Sequence, residues 1–207
     1  MRSRFFWRNK MRRVASSQGL LIVAALFFSS PVLAGWKLMP GKQRASIDSA
    51  SVVPLTDWNQ ASARPGKQGR IWTKDGFDLN AFEVFNAVPN GAPLYKERDR
   101  KRNPMPKFDN AVLLPELADF FERSFRTNNQ ITDFTIIETA PANVGGYKGL
   151  RVRYKYTKPN DELTRFGEAR LAVSKGKLYA INFYAPRLHY FADRIDEVQT
   201  MMESIRF

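Results

Sequence analysis

The sequence of 207 residues contains no cysteine and a single histidine, His189. Without cysteine, the chain cannot form disulfide bonds, thiolate metal sites or the lipid attachment of a bacterial lipoprotein. Any serine, metal or acid–base chemistry that needs an imidazole would have to use His189. The motifs Gly-x-Ser-x-Gly and His-Glu-x-x-His are also missing, as is a glycine-rich phosphate loop that opens a helix. These absences predict no catalytic residue, no metal site and no cofactor.

Residues 1–34 have the composition of a secretory signal peptide. A basic start without acidic residues precedes an apolar stretch, and Val32 and Ala34 occupy the −3 and −1 positions of a cleavage site. The apolar stretch is far shorter than the roughly 20 residues of a membrane span, and Pro31 follows it. We expect cleavage, export and no transmembrane span in the mature chain. The alternative is a signal retained as an anchor.

Basic residues outnumber acidic ones by 13 over the whole chain. Six of these charges lie in the predicted signal, which leaves a net charge of +7. Three more lie in residues 35–47, a segment with little apolar periodicity that we interpret as a flexible leader. Residues 48–207, interpreted as one domain, carry a net charge of only +4. A nearly neutral domain in an exported chain argues against nucleic-acid binding.

Most of the remaining positive charge lies in the segment 89–110, which is rich in proline and has no periodic apolar pattern. A loop of this length inside a domain is usually functional or disordered. In residues 95–108, aromatic residues and methionine interleave with the cations, which suits an anionic partner: an acidic protein face, lipid headgroups or an anionic envelope polymer. The alternative is a solvated charged loop without a partner. The predicted binding residues are Tyr95, Lys96, Arg98, Arg100, Lys101, Arg102 and Lys107.

The first half of the domain predicts short strands and then a helix. Apolar extended stretches at 49–55, 70–73 and 77–88 indicate strands, and Asp75-Gly76 between the last two is typical of a tight hairpin. A helix is predicted to begin at Pro115, which suits a first helical turn. A strand is expected at 132–139 and a turn at 141–149. The helix would bury the stripe Leu114, Leu117, Ala118, Phe121 and Phe125.

The last third of the sequence predicts three strands and a closing helix. Apolar and polar residues alternate at 150–156 and 166–173, and a hairpin turn at 174–177 leads into a third strand at 178–185. The polar face of the first two strands is expected to be solvated, with Glu168 paired across it. The sum is a single α+β domain with an antiparallel β-sheet and helices packed on it. The closing helix would bury Leu188, Phe191, Ile195, Val198, Met202 and Ile205.

Three stretches, 149–156, 176–186 and 202–207, resemble the C-terminal half of the PsbP-like superfamily. The stretches 93–101 and 185–191 are also similar to uncharacterised exported proteins and lipoproteins of Gram-negative bacteria. The resemblance spans roughly residues 75–207 and implies an α/β/α sandwich around an antiparallel sheet, used for binding and assembly rather than catalysis. It implies no active site. The lipoproteins carry a cysteine after the signal, where this chain has glycine.

Two hypotheses about function follow from the sequence. The first is an exported, periplasmic, non-catalytic binding or assembly module of the cell envelope that engages its partner through residues 95–108. The second is an envelope hydrolase that uses carboxylates or the pair His189 and Asp193, which are four residues apart and would face each other on a helix. The scattered carboxylates reveal no pair by their spacing, and we expect His189 to be an exposed residue near a carboxylate.

Overall fold

The computed structural model describes residues 36–207, and the predicted signal peptide lies outside them. The strands are β1 (Trp36–Met39), β2 (Ala45–Ile47), β3 (Ala50–Val52), β4 (Trp58–Ala61), β5 (Gly69–Thr73), β6 (Ala81–Pro89), β7 (Asp133–Val144), β8 (Tyr147–Thr157), β9 (Thr164–Ser174) and β10 (Lys177–Pro186). The helices are α1 (Leu117–Asn129), preceded by a 3₁₀ turn at Leu114–Glu116, and α2 (Ile195–Ser204), preceded by a π-type turn at Arg187–Phe191.

Eight of the strands form one sheet in the order β1-β4-β5-β6-β10-β9-β8-β7, and every pairing is antiparallel. Strands β2 and β3 form a separate hairpin. Sheet residues alternate between two hydrophobic clusters, one containing α1 and the other containing α2 and the β2–β3 hairpin. On β10, Ala180 lies in the first cluster and Ile181 in the second. The sheet therefore lies between two layers, which confirms the predicted α+β fold class.

The hairpins of the C-terminal half follow the sequence pattern. On β8, Val152, Tyr154 and Tyr156 are buried, as their alternation predicts. The turn between β9 and β10 places Lys175 and Gly176 at φ 50° and 69°, the left-handed conformation that a two-residue hairpin turn requires. Strand pairing then continues without a shift along all of β10 and β9.

The interpretation of residues 35–47 as a flexible leader is wrong for the described residues 36–47. Strand β1 pairs with β4, and Trp36 stacks on Phe77 with their ring centroids 5.4 Å apart. Met39 and Ile47 are buried in the cluster that contains α2. Strands of three or four residues are too short to produce a recognisable period, so the sequence pattern gives no sign of them.

Two other boundaries differ from the prediction. The turn expected at 141–149 is limited to Gly145 and Gly146, because β7 and β8 pair along their full lengths. The closing helix begins at Ile195, and Leu188 is 73% exposed. The helix starts late because His189 adopts φ 62° and ψ −64°, which interrupts helical backbone geometry before α2. No helix within residues 36–207 is long and apolar enough to span a membrane.

Candidate functional site

The loop between β6 and α1 is fixed to the core by its apolar side chains. Leu94, Tyr95, Met105 and Phe108 are buried in the cluster that contains α1. The Tyr95 ring lies 5.1 Å from that of Phe85 in an edge-to-face contact. The segment therefore contributes to the core although it has no periodic apolar pattern. Isolated apolar residues about ten positions apart create no periodic pattern in the sequence. In the folded chain, Tyr95 and Phe108 are nevertheless as deeply buried as Phe121 of α1.

Main-chain hydrogen bonds close the loop into a folded projection. Its two ends pair through Gly91 N to Phe108 O (2.7 Å) and Phe108 N to Ala92 O (2.9 Å). Nearer the tip, Asn103 N donates to Asp99 O over 2.9 Å. We call residues 96–104 the basic tip. Because its base is both paired and buried, the basic tip is presented on a fixed support.

All six predicted basic residues are exposed, whereas the predicted Tyr95 is buried. Arg100 and Arg102 approach Glu97 and Asp99 at 4.0 Å and 3.2 Å, but these arginines are 78% and 91% exposed. Exposed pairs of this kind are worth at most about 1 kcal/mol. Within the described residues, no ion pair involves Lys96, Arg98, Lys101 or Lys107. The tip therefore presents uncompensated positive charge, without the aromatic ring that the sequence suggested.

Tyr95 instead belongs to a buried polar network that the sequence analysis missed. Its hydroxyl donates to Glu83 Oε2 over 2.8 Å, and Asn182 Nδ2 donates to the same oxygen over 2.9 Å. The Tyr154 hydroxyl in turn donates to Asn182 Oδ1 over 2.7 Å. Burial raises the pKa of Glu83 to about 7, although both donated hydrogen bonds oppose the rise. The only sequence signal was a charged residue inside the apolar strand β6.

A second buried carboxylate lies on the other face of the sheet. The predicted pairing of Glu168 with Arg153 is present at 3.2 Å, but Glu168 is fully buried and Arg170 is also buried. At Glu168 the face is covered by α2, whose Gln199 donates to Glu168 Oε2 over 2.8 Å. Elsewhere the expectation of a solvated face is met, because Lys155 is exposed and Arg153 is 40% exposed. Burial by itself would raise the pKa of Glu168, yet the hydrogen bond from Gln199 and the charge of Arg170 hold that pKa below its usual value.

A groove of about 400 Å³ lies beside the loop. It separates the loop before β5 from the start of the basic tip. Its charged lining residues are Arg64, Lys67, Lys96 and Glu97, and we call it the basic groove. Gly66, Ala92 and Pro93 contribute apolar surface. The sequence analysis did not identify this groove, because its two sides are almost thirty residues apart in the chain.

The predicted side-chain pair of His189 and Asp193 is not present among the described residues. His189 and Asp193 are both exposed, and they are joined through the backbone, Asp193 N donating to His189 O over 2.9 Å. Within residues 36–207 no hydrogen bond or ion pair links their side chains. The part of the chain that the structure describes also contains no cluster of three or more histidine, aspartate or glutamate residues that could hold a metal ion.

No protein-family model and no curated protein sequence matches this chain. Solved structures do resemble it. The PsbP of Synechocystis sp. PCC 6803 is 11% identical, with 86% of this chain and 95% of that chain covered and a TM-score of 0.49. The Ran-binding protein Mog1p of Saccharomyces cerevisiae is 11% identical, with 81% and 96% covered and a TM-score of 0.50.

LpqN of Mycobacterium tuberculosis, described as involved in cell envelope biogenesis, is 9% identical, with 86% of each chain covered and a TM-score of 0.33. A PsbP is among the solved structures that this chain resembles. At 11% identity, the likeness to Mog1p is one of fold alone.

Proposed function

We propose that this protein is an exported, periplasmic, non-catalytic binding or assembly module of the bacterial cell envelope, and that its basic tip holds an anionic partner. The observation that supports this most directly is the division of the loop into an anchor and a tip. Buried Tyr95 and Phe108 fix the base of the loop. The six cations of residues 96–107 are exposed, and among the described residues two of them, Arg100 and Arg102, lie within 4.0 Å of an acidic side chain. A loop used only as a connector would not need this anchor.

The charge of the tip sets the scale of the interaction. Each lysine or arginine near an anionic surface contributes about 1 kcal/mol. Within the described residues, three tip cations form no ion pair: Lys96, Arg98 and Lys101. Together they give about 3 kcal/mol, which corresponds to a Kd of about 6 mM. Such an attachment is weak and sensitive to salt. A stable complex consequently requires further contacts beside the tip.

Cleavage of the signal is compatible with the described strands. Trp36 already belongs to β1 and pairs with Ala61, so cleavage after Ala34 would leave the first strand intact. The likeness to Mog1p supports a protein partner in general, because a domain of this fold is known there as a Ran-binding protein.

The test is in-cell crosslinking of the exported protein, followed by purification of the crosslinked products. The tip variant carries Arg98→Glu, Arg100→Glu, Lys101→Glu and Arg102→Glu. The matched control reverses four exposed lysines elsewhere, Lys37, Lys148, Lys155 and Lys177, and so changes the net charge by the same amount. We expect wild type and control to capture a common partner that the tip variant loses. Equal capture by all three proteins would contradict the proposal.

A further inference from the structure

We infer that the basic groove binds an acidic protein segment that carries one apolar side chain between its carboxylates. This inference rests on the proposed function and specifies the chemistry of its partner. It adds Arg64 and Lys67, which the sequence analysis did not select, to the contact surface. The groove supplies the contacts that a tip of exposed charges lacks.

The lining of the groove combines cations with an apolar floor. Arg64 and Lys67 lie on one side and Lys96 lies on the other. Ala92 and Pro93, which are half-buried, line the same groove with apolar surface. Carboxylates on both sides of one apolar side chain would match this arrangement, because each carboxylate would meet a cation while the apolar group leaves water.

The acidic lining residue does not cancel this preference. Glu97 Oε1 accepts a hydrogen bond from the backbone N of Met105 over 3.3 Å, and its other oxygen lies 4.0 Å from Arg100. The carboxylate is therefore directed toward its own loop. Arg64, Lys67 and Lys96 form no ion pair within the described residues. The net charge available to a ligand in the groove is positive.

The two sides of the groove are held together before any ligand binds. Lys96 N donates to Pro65 O over 2.7 Å. Gly66 packs so tightly on the opposite loop that a Cβ atom there would lie 2.0 Å from the carbonyl oxygen of Leu94. On the near side, Arg64 Nη1 donates to Lys67 O over 3.2 Å. A preformed groove loses little conformational freedom on binding, which favours affinity.

The shape of the groove favours a protein segment over the other anionic partners. A lipid surface is broad and flat, so its headgroups would meet the projecting basic tip before they could enter a concave site. An anionic sugar polymer offers no apolar side chain for the floor at Ala92 and Pro93. A volume of about 400 Å³ suits a few side chains of an extended peptide.

The test uses a phage-displayed library of random dodecapeptides selected on the purified full chain. Two groove variants serve as baits: one carries Arg64→Glu with Lys67→Glu, and the other carries Gln68→Trp, which fills the groove without changing its charge. A control bait carries Lys148→Glu with Lys155→Glu. We expect wild type and control to enrich peptides with aspartate or glutamate around one apolar residue. Binding of an enriched peptide should fall about tenfold or more in both groove variants.

Enrichment of no such pattern, or equal binding by the groove variants, would overturn the inference. Thermal unfolding of each variant establishes that a loss of binding is not a loss of fold. Anionic phospholipid vesicles form a second arm, and vesicle binding that depends on Arg64 and Lys67 without peptide enrichment would also contradict it. If groove variants retain the crosslinked partner that the tip variant loses, the proposed function stands and this inference is wrong.

Discussion

Two buried glutamates, one on each face of the sheet, are expected to respond to pH in opposite directions. Among residues 36–207, Glu83 receives hydrogen bonds only from the neutral groups Tyr95 and Asn182, so burial dominates and its pKa rises to about 7. The Glu168 carboxylate forms ion pairs with two arginines and accepts a hydrogen bond from Gln199, and these contacts lower its pKa. Identical side chains thus differ because of the charge of their neighbours.

The variant Glu83→Gln should remove a pH dependence from the stability of the protein. Because the pKa rises from 4.5 to about 7 on folding, the folded state binds more protons than the unfolded state between these values, and the free energy of unfolding decreases as the pH rises through this range. Between pH 4 and pH 8, the free energy of unfolding of wild type should fall by about 3 kcal/mol more than that of the variant. Urea unfolding at both pH values measures this. Parallel changes in the two proteins would contradict the assignment.

The variant Glu168→Gln should reduce stability at neutral pH by about 2 to 4 kcal/mol, because buried Arg170 would keep only its 4.0 Å contact with exposed Glu203. Since the folded-state pKa of Glu168 lies below its usual value, this stabilisation is present at neutral pH and is lost as the pH falls through the acid range. The control is Glu138→Gln, which removes the more exposed pair with Arg151 and should cost less than about 1 kcal/mol. Equal losses, measured by urea unfolding, would contradict the account.

Among the elements, the loop between β6 and α1 combines a structural and a functional part. Its buried residues contact α1, and Phe108 lies 6.0 Å from the ring of Phe120. The charged residues of the tip project away from this contact. The two parts should therefore respond separately to substitution: changes at the base affect folding, and changes at the tip affect binding.

The variant Phe108→Ala should lower the free energy of unfolding by about 3 to 5 kcal/mol, because it leaves a cavity against α1. Leu113→Ala, at an exposed position of the same connection, should change it by less than about 0.5 kcal/mol. Denaturant unfolding of the two variants provides the comparison. A small effect at Phe108 would mean that the loop is not part of the core.

Elements with a long, regular pattern were predictable from the sequence, and irregular ones were not. Apolar and polar residues alternate at 150–156 in β8 and at 166–173 in β9, and α1 carries an apolar stripe, so local pattern and packing agree. Strands β1 and β2 exist because their partners in the fold pair with them. The interruption at His189 is likewise imposed by the backbone between β10 and α2, where the apolar spacing alone predicts a continuous helix.

At the scale of the whole molecule, the candidate surface was only partly predictable. The exposure of the six loop cations follows from composition, because lysine and arginine rarely lie buried without partners. The groove could not be inferred, since Arg64 and Lys67 become neighbours of Lys96 only through folding. The burial of Tyr95 also depends on a distant residue, Glu83, which accepts a hydrogen bond from the Tyr95 hydroxyl.

Export predicts a defined start for the mature chain. Protein recovered from the periplasm of a Gram-negative bacterium should begin at Gly35, directly before β1. Intact mass and N-terminal sequencing measure this. Replacement of Ala34 by a bulky residue should block cleavage, whereas the same replacement at Ser30, outside the cleavage positions, should not. Recovery of uncleaved protein from the wild type would contradict the prediction.

The most direct test of the central claim is the salt dependence of partner binding by the purified wild-type, tip-variant and control proteins. If the basic tip holds an anionic partner, affinity for the captured partner should fall steeply with salt for wild type and for the control with Lys37, Lys148, Lys155 and Lys177 reversed. The tip variant should bind weakly, with little dependence on salt. If the tip variant binds with the affinity and salt dependence of wild type, the basic tip is not the binding surface.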